Sequence, residues 1–398
     1  MYFPRGKTMT RFFILAIFFT PFISHSENIG WALGGTSFIA TKMYKAMHGA
    51  NHRVPAIWSR SDENLTKFCN PRNIISHERF TSFPDALNAS GVNAVWIGTP
   101  NQAHLELCLE AFNKPHIMTI VSEKSLEATV DRGEALIEAL SVAQLERLET
   151  EKPPIIFREG IFYLNHPIMI LFKEVIESGI LGDVKEIIAE YGRDLRSGTN
   201  GKSYGVTNNM GPYPISLVHL VIKTLYGPQA FEKRSLEARG LVQTDKQGSE
   251  SDYLVKAQAF VTFANGVKAN IRISEIDGKS PDFNGVTIVG INATLRFITN
   301  PFSPIGGKNQ FDIRFNDGRI QKFVRITEAH QDGYYFQMKM AEYDTLFQRR
   351  EASSPAVNEA GSKALMSFYQ EFRSAALSSD ITIRAPLSEL DRNHVSKF

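Results

Sequence analysis

The stretch Ile29-Gly30-Trp31-Ala32-Leu33-Gly34-Gly35-Thr36-Ser37-Phe38-Ile39-Ala40 decides how this chain is read. Ile29–Leu33 is a short apolar run of the kind that forms a buried strand. It enters two glycines, and Ser37–His48 then carries the apolar spacing of a helix. A helix that starts at such a turn aims its unpaired N–H groups and positive dipole end at whatever sits above the strand, and phosphate suits that place. In the pattern G-x-G-x-x-G/A, the first position makes the tight turn and the second lets the backbone approach a pyrophosphate. The third allows close helix packing. Gly35, Ser37 and Ala40 fall at those places, with Thr36, Phe38 and Ile39 between them. Ser37 replaces a glycine, but it is small and donates a hydrogen bond. Alone, a Gly-Gly turn is often only a turn. Its position after the first strand of an alternating domain is what points to a nucleotide.

That alternation continues. Val54–Ser59, Val92–Gly98 and Ile117–Val121 read as further buried strands, and Leu105–Phe112 and Val130–Arg147 as helices between them. Strand–helix alternation predicts a doubly wound parallel sheet, with ligand-binding loops at the strands' carboxyl edge. Ile155–Tyr163 looks like one more strand of that sheet, and Ile168–Ser178 like a helix. After Gly182 the pattern becomes alternating and antiparallel: Val184–Tyr191, Lys256–Ala264, Val267–Ser274, Val286–Ile291, Thr294–Thr299, Phe311–Phe315 and Arg319–Arg325. Asn265-Gly266 is a type I′ hairpin signal, and Asn316-Asp317-Gly318 marks another turn. Lys246–Asp252 reads as a polar loop. Phe336, Met340, Tyr343 and Phe347 share one helical face, predicting a helix packed back on the sheet. The expected architecture is α/β followed by α+β: a Rossmann domain over 28–165 and a domain with a large, mostly antiparallel open sheet over 166–398. An open sheet of that size must be covered or paired with another subunit, so a homodimer or homotetramer through it is expected.

Composition limits the function classes. The 398 residues hold 44 Lys+Arg against 42 Asp+Glu, a net charge of +2 with no basic stripe, which argues against nucleic acid as a partner. At 43% hydrophobic the chain is an ordinary globular protein. Two cysteines, Cys69 and Cys108, cannot build a disulfide scaffold, and no spacing suggests a metal. At the N-terminus, Arg5, Lys7 and Arg11 precede an apolar run from Phe12 to Ile23, and Ser24 and Ser26 offer a cut before Glu27. This is the layout of a secretory signal peptide over 1–26, too short for a stable membrane span. The competing reading is a misplaced start, with the protein beginning near Asn28. Export follows from the first reading and a cytoplasmic location from the second.

The second strand ends at Ser59-Arg60-Ser61. NAD usage favours a carboxylate there on the ribose 2′-OH, whereas an Arg accommodates the 2′-phosphate of NADP. Arg60 therefore favours NADP, with NAD kept open by Asp62.

Further motifs follow in order: Thr99-Pro100-Asn101 with His104, Glu123-Lys124-Ser125-Leu126, His166-Pro167, Asn209-Met210-Gly211-Pro212-Tyr213-Pro214, and Asn300-Pro301-Phe302. In this order the chain resembles the glucose–fructose oxidoreductase / inositol dehydrogenase / rhizopine-catabolism (Gfo/Idh/MocA) family, nearest in look to its dihydrodiol and xylose dehydrogenase members. The resemblance runs from about Asn28 to the final helix. It implies cofactor contacts from Gly35, Thr36, Ser37, Phe38, Ile39, Ser59, Arg60, Thr99, Pro100, Asn101, His104, Glu123 and Lys124. The family pattern Glu-Lys-Pro is met by Glu123 and Lys124, while Ser125 departs. The family's Lys–Pro bond is often cis; before Ser a cis bond is costly, so trans is expected here. The family pattern Asp-x-Gly-x-His/Tyr is met by Gly211 and Tyr213, while Asn209 replaces the carboxylate. Asn orients a hydroxyl but is no base.

The resemblance implies an NAD(P)-dependent oxidoreductase moving hydride to or from a sugar, polyol or related cyclic alcohol. Tyr213 is expected as acid/base, its pKa lowered by the Lys124 ammonium. Lys124 then serves as electrostatic partner and donor to the substrate oxygen, and the reverse assignment stays open. His104 and His166 have no expected role in the chemistry. Two other readings remain: a non-catalytic nucleotide-binding regulator, since fold does not fix function, and an NAD-dependent glycosidase-type member.

Overall fold

A computed structural model describes residues 29–194, 205–244, 253–276, 284–352 and 355–386. The leader segment 1–26 and the polar loop Lys246–Asp252 lie outside the described residues.

The first sheet contains β1 (Gly30–Gly34), β2 (Arg53–Trp58), β3 (Arg79–Phe80), β4 (Ala94–Ile97), β5 (Thr119–Glu123) and β6 (Ile156–Gly160), all parallel. Its order is β3-β2-β1-β4-β5-β6. The order reverses at β1/β4, and the carboxyl ends beside such a reversal are where open α/β sheets take ligands. Helices α1 (Phe38–Gly49), α2 (Asp62–Cys69), α3 (Phe83–Leu87), α4 (His104–Phe112) and α5 (Val130–Glu149) alternate with the strands. Every residue of β1, β4, β5 and β6 is buried, which explains why these strands read as continuous apolar runs.

The chain then forms α6 (Pro167–Glu177), β7 (Val184–Gly192), α7 (Val206–Asn209), α8 (Pro212–Tyr226), β8 (Arg234–Gln243), β9 (Tyr253–Phe263) and β10 (Lys268–Ser274). After these come β11 (Asn284–Gly290), β12 (Ala293–Phe297), β13 (Gly307–Phe315), β14 (Ile320–Thr327), α9 (Gly333–Leu346), α10 (Glu359–Ser378) and β15 (Ile383–Ala385). The second sheet runs β14-β13-β12-β11-β7-β10-β9-β8-β15. It is mostly antiparallel, but β7 and β10 are parallel neighbours, as are β8 and β15. The expected mostly antiparallel sheet is met; between β7 and β10 the chain adds two helices and two strands. A connection of that length permits a parallel crossover. Helices α6, α8 and α10 lie on one face of this sheet, α8 against β7 and β10, and α10 against β8 and β9.

Two local expectations change. Asn265 does not adopt positive φ, so the β9–β10 hairpin is not type I′. Gly266 alone is left-handed (φ +83), its N–H bonds Phe263 O, and Phe263 N–H bonds Val267 O: a three-residue loop closed by glycine. Gly318 closes the β13–β14 loop in the same way. Finally, α9 does not turn the Phe336, Met340, Tyr343 and Phe347 face inward. Its buried residues include Gln337, Met338, Ala341 and Asp344, and it packs on α1 and on β5 and β6 of the first sheet. Met338 and Ala341 join the core that holds Trp31, Met43 and Met47. Polar pairs fix the docking: His52 with Glu342 at 3.3 Å, Arg158 with Asp344 at 2.9 Å, and the hydroxyls of Thr119 and Thr345.

Among the described residues no helix is long and apolar enough to cross a membrane, and no three His, Cys, Asp or Glu side chains gather as a metal would require.

Candidate active site

The loops after β1, β4 and β5 leave the sheet at this carboxyl edge. Gly35 has φ +118 and gives its N–H to Trp58 O at 2.9 Å. A Cβ there would lie 3.0 Å from Gly98 O, and one on Gly34 would lie 2.8 Å from Trp96 O. Only glycine lets the β1 turn sit this close to β4. Ser37 caps α1, its Oγ accepting from Ala40 N at 3.2 Å, and no acid stands in the helix's first turn. Thr36 and Ile39 are half-buried, Ser37 and Phe38 exposed. The cradle therefore offers backbone N–H groups and an unopposed helix end, which fits a dinucleotide's pyrophosphate. At the end of β2, Ser59 is buried and accepts from Ser61 N at 3.3 Å, while Arg60 is exposed.

Beyond β4, the loop Thr99-Pro100-Asn101 is tied to the loop after β5. Asn101 Nδ2 donates to Ser125 Oγ at 2.7 Å. His104 is fully buried, with Nδ1 2.9 Å from Leu126 O and Nε2 3.0 Å from Thr99 O. Burial lowers its pKa. His104 thus braces these two loops with both ring nitrogens. His166 is likewise buried; its Nδ1 caps α6 by accepting from Ile168 N, and burial pulls its pKa down to about 4.

The Lys124–Ser125 peptide bond is cis, where trans was expected. Ser125 is fully buried, and its hydroxyl donates to Glu127 O at 3.0 Å besides accepting from Asn101. Those contacts set the seat of Ser125 and leave Lys124 facing the second sheet. Lys124 Nζ donates to the Asn209 backbone oxygen at 2.8 Å and stands 5.4 Å from the centroid of the Tyr213 ring. The two residues singled out from sequence therefore converge.

Their electrostatics differ from expectation. Tyr213 is 7% exposed and lies among Tyr191 (ring centroids 4.5 Å apart), Phe162 (6.0 Å), Tyr163 (6.1 Å) and Phe302 (6.4 Å). Burial raises its phenol pKa well above the ordinary 10, with Tyr191, Tyr334 and Glu123 adding to the rise and Arg193 opposing it. The ammonium meets the face of the ring, a cation–π arrangement, and the expected lowering by Lys124 does not occur. Burial lowers the Lys124 pKa; Glu123, Glu275 and Glu159 oppose that fall, and Arg193 adds to it. Burial raises the Glu123 pKa to about 7, and its Oε1 is buried with no hydrogen-bond partner.

Asn209 does not stand in for a missing carboxylate unaided. Its Nδ2 donates to Glu275 Oε1 at 2.6 Å, and Tyr253 donates to Glu275 Oε2 at 2.8 Å. Glu275, Arg193 and Tyr191 were not singled out from sequence. The usable signal was position: Glu275 directly follows β10, Arg193 directly follows β7, and these parallel neighbours end at the same edge.

Comparison with known proteins agrees with this fold. Residues 29–146 match the family model described as an oxidoreductase family with NAD-binding Rossmann fold. A 3-ketoreductase from Actinomadura kijaniata, solved with NADP and TDP-benzene, superposes with TM-score 0.71 at 17% identity, covering 90% of this chain and all of that one. An aldose-aldose oxidoreductase from Caulobacter crescentus, solved with glycerol, gives TM-score 0.68 at 16% identity over 88% of this chain and 98% of its own. An oxidoreductase from Pseudomonas syringae gives TM-score 0.67 at 18% identity over 88% and 96%. No curated protein sequence matches the chain significantly.

Proposed function

We propose that this chain, whose residues 29–146 match the model of an oxidoreductase family with NAD-binding Rossmann fold, moves hydride between NADP and a carbinol or keto carbon of a sugar or polyol. The observation that carries this reading is Lys124: a half-buried ammonium just past the end of β5, bonded to Asn209 O and over the Tyr213 ring. The nicotinamide, when bound, supplies the hydride chemistry. Gly35 and the start of α1 would receive the pyrophosphate, and Arg60 the 2′-phosphate. NADP is also the cofactor seen with the A. kijaniata ketoreductase, and sugar-type ligands suit the neighbours solved with TDP-benzene and glycerol.

The protein must then move one proton at the substrate oxygen. A carrier works best with a pKa near the operating pH. Burial moves Lys124 towards that range and Tyr213 away from it. This supports the reverse of the first assignment: Lys124 carries the proton, and Tyr213, held as a neutral phenol, donates a hydrogen bond to the same oxygen. The surrounding aromatic rings exclude water and offer faces to the C–H surfaces of a sugar ring.

Homo-oligomerisation through the open face of the second sheet belongs to the same reading. That face carries exposed Phe260 on β9 beside polar Gln258 and Asn270.

The test is direct. The purified protein is offered a panel of sugars, polyols and their keto forms with NADP and NAD, and nicotinamide absorbance is followed. Turnover abolished by Lys124→Met with nucleotide binding kept supports the reading. Nucleotide binding with no turnover across the panel favours a regulator.

A further inference from the structure

The contacts around Lys124 form a chain that ends on a carboxylate. Lys124 Nζ donates to Asn209 O at 2.8 Å, and the same residue's Nδ2 donates to Glu275 Oε1 at 2.6 Å. The other carboxylate oxygen accepts from Tyr253 at 2.8 Å. Glu275 is 5% exposed, and its N–H bonds Val255 O at 2.8 Å, so backbone and both side-chain oxygens are fixed. A carboxylate that deep costs several kcal/mol in lost hydration unless charge and hydrogen bonds offset it. Two donors and a neighbouring ammonium provide that offset. The arrangement is also directional: Asn209 sits at the end of α7, with its backbone oxygen towards the lysine and its side chain towards the acid.

Resting on the oxidoreductase reading for its catalytic consequence, we propose that Glu275 is the positioning residue of Lys124, holding the ammonium in place and charged through Asn209. Among the described residues Lys124 has four other charged or titratable neighbours. Glu123 comes from β5 itself, Glu159 from β6, Arg193 from the end of β7, and Tyr213 from α8. Glu123 and Glu159 are both pushed by burial to about 7, so at neutral pH each is only partly charged. Arg193 repels the ammonium. Glu275, with two donors on its oxygens, has the hydrogen-bond pattern that favours a carboxylate. Removing its charge leaves only Glu123 and Glu159 to offset burial and Arg193 at the ammonium.

Two isosteric variants test this. Glu275→Gln removes the charge and keeps the shape. Asn209→Asp/Glu275→Gln transfers the charge one residue along the chain of contacts, and the hydrogen bond survives with its polarity reversed, Gln Nε2 donating to the Asp carboxylate. The first readout needs neither cofactor nor substrate. Only a neutral amine displaces fluoride from 1-fluoro-2,4-dinitrobenzene, so the labelling rate of the Lys124 peptide against pH, followed by mass spectrometry, reports its titration. The midpoint is expected to move to lower pH in Glu275→Gln and back towards wild type in the double variant. An unchanged midpoint in Glu275→Gln, or a shift that the double variant leaves unreversed, overturns the proposal. Matching far-ultraviolet circular dichroism and melting curves separate either result from misfolding.

The second readout is catalytic. With a substrate from the panel, Glu275→Gln is expected to lower kcat/KM on the order of 10²-fold, as misplacement of a reacting group does, and to move the alkaline limb of the profile to lower pH. The double variant is expected to recover most of both. An inert wild type would sink the oxidoreductase reading, and the labelling experiment would still decide the role of Glu275.

Discussion

Lys124 Nζ stands over the face of the Tyr213 ring, 5.4 Å from its centroid, while its proton goes to the Asn209 backbone oxygen. The contact joins the end of a first-sheet strand to the first turn of the helix that lines the second sheet. It also separates two roles that sequence leaves interchangeable. Lys124→Met is expected to lower kcat/KM by about 10²–10⁴-fold, the range of a lost acid–base group, with NADP affinity kept within a few fold. Tyr213→Phe keeps the ring under the ammonium and removes one hydrogen bond, so about a tenfold loss is expected. Steady-state kinetics and fluorescence titration decide, and the opposite order of losses would return the proton to Tyr213.

Gly35 combines φ +118 with a Cβ position 3.0 Å from Gly98 O. Gly35→Ala is therefore expected to lose about 1–3 kcal/mol of stability. It should also weaken nucleotide binding, since the turn must open to admit the methyl group. Urea unfolding and NADP titration measure the two effects separately.

Arg60 is exposed at the end of β2. Arg60→Ala is expected to weaken NADP by about 10–100-fold, the worth of hydrogen bonds to a charged group, and to leave NAD nearly unchanged. Calorimetric titration with both nucleotides gives the ratio. Equal losses for both would place the 2′-phosphate elsewhere.

Arg158 and Asp344 form a buried pair at 2.9 Å, their side chains 6% and 2% exposed. Removing one charge strands the other, so Asp344→Asn is expected to cost about 3–5 kcal/mol. Arg158→Met/Asp344→Leu is expected to recover much of that. Urea midpoints of the two variants are the comparison.

Burial raises the Glu159 pKa from its ordinary 4.5 to about 7, against hydrogen bonds from Ser362 and from Leu126 N that favour the charged form. Between those two values the folded chain keeps a proton that the unfolded chain releases. Stability contributed by Glu159 is therefore complete below the unfolded pKa and is lost as pH rises through about 7. Glu159→Gln keeps the Leu126 N–H bond on its amide oxygen, with the Ser362 hydroxyl turned to accept from Nε2, and should flatten this dependence. Urea unfolding from about pH 5 to about pH 8 checks it; an unchanged slope would mean Glu159 is charged throughout.

The Rossmann sheet was legible because β1, β4, β5 and β6 are buried on both faces, so Trp31, Val95, Ile120 and Phe157 fall in uninterrupted apolar runs. Gly35 and Lys124 could be located from their places after such strands. Helix α8 was missed because it is apolar on nearly all sides, Ile215, Leu217, Val218 and Ile222 all being buried; without a polar face there is no period to detect. The inward face of α9 was misread for a related reason. It docks through Gln337, Ala341 and Asp344, and its polar contacts are invisible until Arg158 and His52 are in place. Glu275 was equally hidden: an acid after a strand looks solvated until Asn209 and Tyr253 close over it.

The return of α9 to the first sheet bears on how the chain is made. Met338 and Ala341 cover the same patch as Trp31 and Met47, and Asp344 closes over Arg158. A nascent chain must therefore hold this half unsealed on the ribosome until nearly the whole polypeptide has been translated. An excised fragment ending near residue 165 would present that patch to water and invite aggregation, so the smallest unit fit for expression runs at least through Leu346.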